Sequence, residues 1–159
     1  MIRTGFGYDV HQLKAGEQLI LGGVLIPFSK GSVGHSDGDV LCHAVVDALL
    51  GAANLGDIGD HFPSEDSRWK GASSLTFVQM AGEKIQAEGF DILHVDCTVI
   101  LQEVRVKPHI PEMKSLVRDK LQIGEDRISI KATTTDFLGF TGRGEGVAAM
   151  ALATLSAVK

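Results

Sequence analysis

Three side chains in the N-terminal part of the chain have the types and spacing of a metal site. Asp9 and His11 lie two residues apart in the segment GYDVH, so both side chains leave the same face of a β-strand. His43 lies four residues from both Asp39 and Asp47, on the polar side of a predicted helix. Two imidazoles and a carboxylate suit Zn²⁺, and three protein ligands leave one tetrahedral position open to water or substrate. We therefore predict a catalytic zinc site at Asp9, His11 and His43.

Each of these side chains also has an ordinary explanation. An Asp-x-His pattern arises by chance, and a single histidine on a helix is more often a surface or core residue than a ligand. Asp47 is either an acceptor that orients His43 or His11, or a solvated helix carboxylate. The metal prediction therefore depends on the combination of the candidate ligands.

The segment KATTTDFLGFTGRGEG, residues 131–146, has the composition of a phosphate-binding loop. Its threonines at 133–135 and its glycines offer hydroxyl and backbone donors, and Arg143 can make two hydrogen bonds to one oxyanion. Asp136 would repel phosphate unless a cation bridges them, which predicts Mg²⁺ or Mn²⁺ on a diphosphate. The alternative is a threonine-rich edge strand and a glycine turn, with Arg143 and Glu145 in a surface ion pair.

Two further segments hold candidate substrate contacts. GHSDGD, residues 34–39, lies at the predicted start of a helix, where free amide groups and the helix dipole favour anions. His35 and Ser36 are therefore candidate phosphate contacts; alternatively, Ser36 only caps the helix and His35 is merely exposed. The segment 56–71 lacks periodicity and is longer than ordinary connections, which predicts a loop that covers the substrate.

The elements that must position these residues follow from apolar patterns and glycines. Residues 2–12 and 17–28 have strand patterns separated by a glycine-bearing turn, which predicts an N-terminal hairpin. A helix is predicted from near residue 37, with Ser36 as its cap, to a stop before Gly56.

The rest of the chain alternates helices and strands. The predicted elements are a helix capped by Ser73 or Ser74 that ends before Gly89, a strand at 92–101, a helix that Pro111 opens and Gly124 stops, and a strand at 127–133. The alanine-rich tail at 146–158 suits a helix by propensity and a strand by pattern. Interleaved strands and helices without a linker or repeat predict an α/β (α+β) fold, with one domain over residues 1–159.

Composition excludes several classes of protein. The chain has 159 residues, 44% of them hydrophobic, and a net charge of −5, which gives no general attraction to nucleic acid or anionic membrane. It lacks an apolar run of membrane-spanning length and the pattern of a signal peptide, so we expect a cytoplasmic protein. Cys42 and Cys97 match no disulfide or zinc framework, which predicts buried free thiols.

Several segments together resemble the 2-C-methyl-D-erythritol 2,4-cyclodiphosphate synthase family of the non-mevalonate route to isoprenoid precursors. They are, in chain order, GYDVH, HSDGDVLCHA, LLGAANLGDIGDHFP, PHIPEM and KATTTDFLGFTGRGEG. The similarity spans essentially the whole chain. It implies a homotrimer of α/β subunits, each with its sheet toward the threefold axis, with active sites at the subunit interfaces and the tail at 146–158 as a strand.

The resemblance also implies a reaction. Enzymes of this family are metal-dependent phosphorus–oxygen lyases that convert 4-diphosphocytidyl-2-C-methyl-D-erythritol 2-phosphate to the 2,4-cyclodiphosphate and release CMP. The 2-phosphate attacks the β-phosphorus within one molecule. The cytidine would lie in a pocket shared with a neighbouring subunit, and an apolar cavity along the trimer axis, near Phe6 and Arg143, would accept an isoprenoid diphosphate.

Site residues carry over from the resemblance by position. The family's zinc ligands fall on Asp9, His11 and His43, its contacts to the transition state on His35 and Thr134, and its second-metal site on Asp136. The implied substrate contacts are Asp9, His11, His35, Ser36, Asp57, Ile58, Gly59, Phe62, Pro63, Ser64, Glu65, Asp66, Arg105, Ala132, Thr133, Thr134, Thr135, Asp136, Phe140 and Arg143.

The chain departs from the family pattern at several positions. Asp136 stands where glutamate is common, which leaves the preference for the second metal open. Val104 and Arg105 stand where proline and lysine are usual; Arg105 keeps the charge but changes its geometry. Ser64 replaces an acidic residue in the covering loop.

Two other functions are compatible with the same residues. A zinc-dependent phosphohydrolase that uses bound water would need the same three ligands, but its product would be a free phosphate and not a ring. A trimeric binding protein for isoprenoid diphosphates would use the axial cavity alone and would keep binding after loss of His43.

Overall fold

Seven strands and three long helices make up the computed structural model, which describes residues 1–158. The strands are β1 (Ile2–Ala15), β2 (Leu19–Leu21), β3 (Val24–Ile26), β4 (Lys30–Ser32), β5 (Phe90–Ile100), β6 (Ile128–Thr133) and β7 (Gly146–Ala157). The helices are α1 (Val40–Ala53), α2 (Ile58–His61), α3 (Ser74–Ala87), α4 (Ile110–Leu121) and α5 (Gly139–Gly142). Lys159, the last residue of the predicted domain, lies outside the described residues. None of the described helices is long and apolar enough to cross a membrane.

A five-stranded sheet in the order β4-β1-β7-β5-β6 organises the chain, and β2 and β3 form a separate hairpin. Neighbouring strands are antiparallel except for β5 and β6, which are parallel and are connected through α4. The helices pack on one face of the sheet, so the predicted α/β class is confirmed.

The predicted N-terminal hairpin is wrong. β1 continues past residue 12 to Ala15, and its sheet partners are β4 and β7. The segment 17–28 folds on itself as β2 and β3, which turn at Gly22 and Gly23. Both glycines have positive φ, of 57° and 79°, as a two-residue hairpin turn requires. The Gly-Gly pair was the sequence signal for this turn.

The start of α1 also differs from the prediction. The helix begins at Val40 and not near residue 37, because Asp39 and not Ser36 caps it. The buried Asp39 carboxylate accepts a hydrogen bond from the amide of Cys42 at 3.1 Å. It also accepts hydrogen bonds from the amides of both glycines of the β2–β3 turn. Asp39 therefore joins the hairpin to the helix, and Ser36 is left for another role.

The remaining elements agree with the predictions to within a few residues. α1 and α3 end before Gly56 and Gly89, and β5, β6 and α4 begin within two residues of their predicted positions. α4 stops at Leu121, three residues before Gly124, because Gln122 adopts the left-handed conformation. The alanine-rich tail is a strand, as the family resemblance implied.

Helix α1 packs closely against β1 because the strand carries glycine at two inward positions. A Cβ atom on Gly5 would overlap the carbonyl oxygen of Ala48, and one on Gly7 would overlap that of Ala44. No side chain therefore separates the backbones of strand and helix over this stretch. The contact places the first turns of α1 beside the part of β1 that carries the predicted metal ligands.

The opposite face of the sheet is uncovered in the single chain. It carries Phe6, 61% exposed, opposite Leu152, 46% exposed, and Tyr8 opposite Met150. An exposed apolar sheet face of this kind marks an interaction surface.

Both cysteines are buried and free, as predicted. Burial raises the pKa of the Cys97 thiol to about 12 and that of Cys42 well above its ordinary value. Because the thiolate is the reactive form, neither cysteine is a nucleophile at neutral pH.

We expect Gly7→Ala to destabilise the protein by about 3 kcal/mol or more, because the added methyl group must push α1 away from β1. Urea-induced unfolding followed by circular dichroism measures this change. The matched control is Gly51→Ala in helix α1, where an added Cβ meets nothing within 4 Å. That control should stabilise the protein by about 0.5–1 kcal/mol. Equal effects of the two variants would contradict the proposed close contact.

Candidate metal centre and substrate cavity

Asp9, His11 and His43 come together in the structure as the sequence predicts. Asp9 Oδ2 lies 2.9 Å from His11 Nε2 and 3.0 Å from His43 Nδ1, and the two nitrogens are 3.1 Å apart. Donors in a tetrahedral zinc site lie roughly 3.4 Å apart, because each is about 2.0–2.2 Å from the ion. Shifts of a few tenths of an ångström would therefore admit one ion. The donor set and its geometry fit zinc.

The electrostatics of this cluster favour a positive charge among the three side chains. Burial raises the pKa of Asp9, but hydrogen bonds from His11 and His43 outweigh it and hold the pKa well below its ordinary value. Burial lowers the pKa of His11, yet its hydrogen bonds to Asp9 and to the Val33 carbonyl bring the pKa above its usual value. An arrangement that holds a proton in this way also favours a metal cation.

Backbone and side-chain partners orient both imidazoles. His11 Nδ1 lies 2.7 Å from the carbonyl oxygen of Val33, which can only accept, so His11 donates there, and a metal ion in place of the cluster proton would meet its Nε2 lone pair. His43 Nε2 lies 2.9 Å from Ser74 Oγ and 3.1 Å from Ser36 Oγ. Both histidines thus present one ring nitrogen to the cluster and bond through the other.

Of the two interpretations of Asp47, the one in which it orients an imidazole is wrong. Asp47 Oδ1 accepts a hydrogen bond of 2.8 Å from the amide of Ile58, at the start of α2. Burial raises the pKa of its carboxyl above the ordinary value. Asp47 therefore tethers the covering loop to α1. His61, for which the sequence offered no partner, lies with Nε2 2.8 Å from the carbonyl oxygen of Leu55.

The two histidines of the cluster open onto a cavity of about 260 Å³. Eight predicted site residues line it, namely His11, His35, Ser36, His43, Ile58, Gly59, Phe62 and Ser64, together with Trp69 and Phe77. Ser36, freed from helix capping, places its hydroxyl between the cavity and the cluster. The structure therefore brings the candidate zinc ligands, the 34–39 segment and the covering loop together at one cavity.

An aromatic cluster holds the covering loop in place. Phe62 stacks on Phe77 with ring centroids 4.5 Å apart, and Trp69 meets both rings edge-on at 5.4 Å. The segment is more structured than predicted, since it contains α2 and a turn of 3₁₀ helix at Ser67–Trp69. Sequence analysis missed Trp69 and Phe77, although the single tryptophan in a polar segment was a signal for a packed aromatic.

A second, smaller cavity holds another group of predicted contacts. Its volume is about 160 Å³, and it lies between the 101–107 segment and the end of β6. The predicted residues Arg105, Ala132, Thr133 and Thr134 line it, with Leu101, Val104, Val106 and Lys107. No residue lines both cavities. Within one chain, the predicted substrate contacts are therefore divided.

The other predicted contacts line neither of these two cavities. They are Asp9, Asp57, Pro63, Glu65, Asp66, Thr135, Asp136, Phe140 and Arg143. Asp57 caps α2 through the amide of Asp60, and the peptide oxygen of Asp66 lies 3.2 Å from His35 Nε2.

The loop after β6 has features of both earlier interpretations. Asp136 and Phe137 have positive φ, of 51° and 65°, so the chain turns sharply after the threonines. β6 is an edge strand, and Arg143 Nε lies 2.8 Å from Glu145 Oε1, as the non-functional alternative predicts. Both side chains of this pair are more than half exposed, at 57% and 58%, so Arg143 stays accessible to an anionic ligand.

Comparisons with known proteins agree with this geometry. A curated protein of Pelotomaculum thermopropionicum, named 2-C-methyl-D-erythritol 2,4-cyclodiphosphate synthase, is 52% identical over 96% of this chain and 94% of its own length. The bifunctional IspDF structure of Campylobacter jejuni matches all of this chain and 43% of its own, with a TM-score of 0.95 and 41% identity. An IspF structure of Plasmodium falciparum, in complex with CDP, is 33% identical, with a TM-score of 0.87 over 99% of this chain and 97% of its own.

The family comparison covers nearly the whole sequence. The model of the YgbB family matches residues 2–156, which include β1, the metal cluster and β7 up to its last residue but one. The chain therefore belongs to the YgbB family.

Proposed function

We propose that this protein is a 2-C-methyl-D-erythritol 2,4-cyclodiphosphate synthase that acts as one catalytic domain. It converts 4-diphosphocytidyl-2-C-methyl-D-erythritol 2-phosphate to the cyclic diphosphate and releases CMP. The observation that carries the proposal is the Asp9, His11 and His43 cluster at the wall of a cavity lined by His35 and Ser36. Family membership and similarity to proteins named for this activity support the same reaction.

The reaction is a phosphoryl transfer within one molecule. An oxygen of the 2-phosphate forms a bond to the β-phosphorus, and the bond from that phosphorus to the bridging oxygen of CMP breaks. The electron pair leaves with CMP, and no water is consumed, which makes the enzyme a phosphorus–oxygen lyase. Because the attacking phosphate is anionic near neutral pH, the protein must align it and stabilise charge, with little need for a general base.

The residues of the chain have distinct tasks in this scheme. Asp9, His11 and His43 would hold Zn²⁺ and Asp136 would contact Mg²⁺ or Mn²⁺, which when bound supply Lewis acidity and charge neutralisation at the phosphates. Ser36 and His35, in the cavity wall, donate hydrogen bonds to phosphate oxygens. Ile58, Gly59 and Phe62 of the covering loop close the cavity against water.

The division of the predicted contacts between two cavities supports a homotrimer with interfacial active sites. In this proposal, the smaller cavity with Arg105 binds the cytidine part and completes the metal-bearing cavity of a neighbouring subunit, and Thr134 in its wall contacts the transition state. The uncovered apolar face around Phe6 and Leu152 supplies the contact surface toward the threefold axis. The axial space near Phe6 and Arg143 would accept an isoprenoid diphosphate. The multiply charged, water-soluble substrate supports a cytoplasmic location.

Phosphorus NMR of the protein with the cytidine substrate, Zn²⁺ and Mg²⁺ tests the proposed reaction directly. We expect equal amounts of CMP and a cyclic diphosphate. CMP with linear phosphates would indicate a zinc phosphohydrolase, and absence of turnover with retained isoprenoid diphosphate binding would indicate a binding protein. Either result would overturn the proposal.

We expect His43→Ala to lose zinc and cyclisation together while the trimer persists, because the change removes one of three ligands from α1. Metal analysis after dialysis, phosphorus NMR and light scattering measure the three properties. The control is His109→Ala, which removes a histidine that lines neither cavity and should keep one zinc per chain. Full activity of His43→Ala would contradict the assignment of the zinc site.

Asp136→Asn should raise the Mg²⁺ concentration needed for half-maximal turnover by about tenfold while zinc stays bound. Asparagine is the suitable replacement because it tolerates the positive φ of 51° at this position. A titration of turnover with Mg²⁺ at fixed Zn²⁺ gives the result. An unchanged Mg²⁺ dependence would remove Asp136 from the second-metal site.

Leu152→Lys should dissociate the trimer and abolish cyclisation while each chain keeps its zinc, because it places a charge on the uncovered sheet face. Sedimentation equilibrium measures the assembly, and metal analysis measures the zinc. Leu25→Lys is the matched control, since Leu25 is 57% exposed on the separate β2–β3 hairpin. An intact trimer in Leu152→Lys would show that this face is not the contact surface.

A further inference from the structure

A buried hydroxyl links His43 to a carboxylate that takes no part in the metal cluster. Ser74, the first residue of α3, is fully buried, and its Oγ lies 2.9 Å from His43 Nε2. The same hydroxyl donates a hydrogen bond to Asp37 Oδ1. Asp37, Ser74 and His43 thus form a chain of hydrogen bonds that ends at the metal cluster.

The direction of these hydrogen bonds fixes which nitrogen of His43 carries the proton. Asp37 accepts backbone N–H groups as well, from Ser74 at 2.9 Å and from Asp39 at 3.2 Å, so both of its carboxyl oxygens act as acceptors. The single proton of the Ser74 hydroxyl goes to this carboxylate, so its oxygen accepts from His43. His43 therefore carries its proton on Nε2.

That tautomer is the one the metal site requires. Once zinc replaces the proton between His43 Nδ1 and Asp9 Oδ2, which lie 3.0 Å apart, a histidine with its proton on Nε2 presents the Nδ1 lone pair to the ion, beside His11 Nε2 at 3.1 Å. The opposite tautomer would direct an N–H group into the cluster and exclude a cation. Hydrogen-bonded partners of this kind typically change metal affinity about 10–100-fold when they are removed.

We propose that Asp37 and Ser74 are positioning residues that set the tautomer and ring orientation of His43 for zinc. The inference rests on the zinc site of the proposed function and extends it to two residues that lie outside the ligand set. It also accounts for Ser36. Because Ser74 is the nearer acceptor of the single His43 Nε2 proton, Ser36 is not needed to orient His43, and its hydroxyl can donate to Ser74 Oγ, 3.4 Å away, or into the cavity toward substrate.

Asp37 and Ser74 also have a structural role, and the test must distinguish it from the proposed role at zinc. The carboxylate of Asp37 also accepts from the backbone amide of Ser74, which caps the first turn of α3. Ser74→Ala keeps this backbone amide and removes only the hydroxyl. A purely structural role of the hydroxyl would therefore alter unfolding of the zinc-free protein and leave zinc affinity unchanged.

Zinc affinity of the full chain, measured with Zn²⁺ alone in competition with a chelator, tests the proposal. We expect Ser74→Ala and Asp37→Asn each to raise the zinc dissociation constant about 10–100-fold. In the double variant the effects should be clearly less than multiplicative, because both changes break one chain of hydrogen bonds. The control is Ser36→Ala, which leaves the Ser74 contact to His43 intact and should keep zinc affinity within about threefold.

NMR spectroscopy reports the tautomer of His43 directly and so distinguishes it from an effect on folding. In zinc-loaded protein with labelled histidine, the Nε2 proton of His43 should give a slowly exchanging imidazole resonance that is missing from His43→Ala. Ser74→Ala should lose the slow exchange. Zinc affinity within about twofold of the unmutated protein in Ser74→Ala, or in Asp37→Asn if the first variant does not fold, would overturn the proposal. If zinc affinity is unchanged in these variants but His43→Ala loses zinc, only the positioning role is rejected and the proposed function stands. If His43→Ala also keeps zinc, the zinc site itself is rejected.

Discussion

The contact between the backbones of β1 and α1 is the constraint on which the candidate metal centre depends. Gly5 and Gly7 leave no Cβ between strand and helix, so the helix lies directly on the strand. A ligand set divided between the two elements can then place its donor atoms about 3 Å apart. With any larger side chain at these positions, an imidazole from the helix would not reach the carboxylate on the strand.

Close approach alone does not fix the rotation of the helix, and buried polar groups supply that second constraint. Asp39 is fully buried, and its hydrogen bonds hold the start of α1 to the β2–β3 turn. Burial and the nearby Asp37 carboxylate raise the pKa of this carboxyl. Further along the same face of α1, Asp47 holds the covering loop. If α1 rotated about its axis by the angle between successive residues, the hydrogen bonds of Asp39 and Asp47 would break. The same rotation would turn His43 away from the cluster.

Local sequence patterns predicted the elements well, and the three metal ligands followed from strand and helix periodicity because each period determines a face. The errors lie where a long-range partner decides. Ser36 had the residue type of a cap, but the Asp39 carboxylate has partners in a distant turn that no local pattern reveals. The interpretation of Asp47 as a partner of the imidazoles was wrong for the same reason, because its actual partner is the amide of Ile58 in the covering loop. Trp69 and Phe77 line the cavity because the covering loop packs against α3. Sequence periodicity does not reveal a contact between a loop and a helix.

The exposed sheet face and the divided cavities have a common physical origin. All three long helices pack on one face of the sheet, so the chain by itself covers half of its apolar strand surface and leaves residues such as Phe6 and Leu152 in water. The edge strand β6 carries the second cavity to the margin of that sheet. Association through the uncovered face would bury apolar surface and bring the margin of one subunit against its neighbour. In the proposed trimer, the association that stabilises the subunit would therefore also assemble the substrate site.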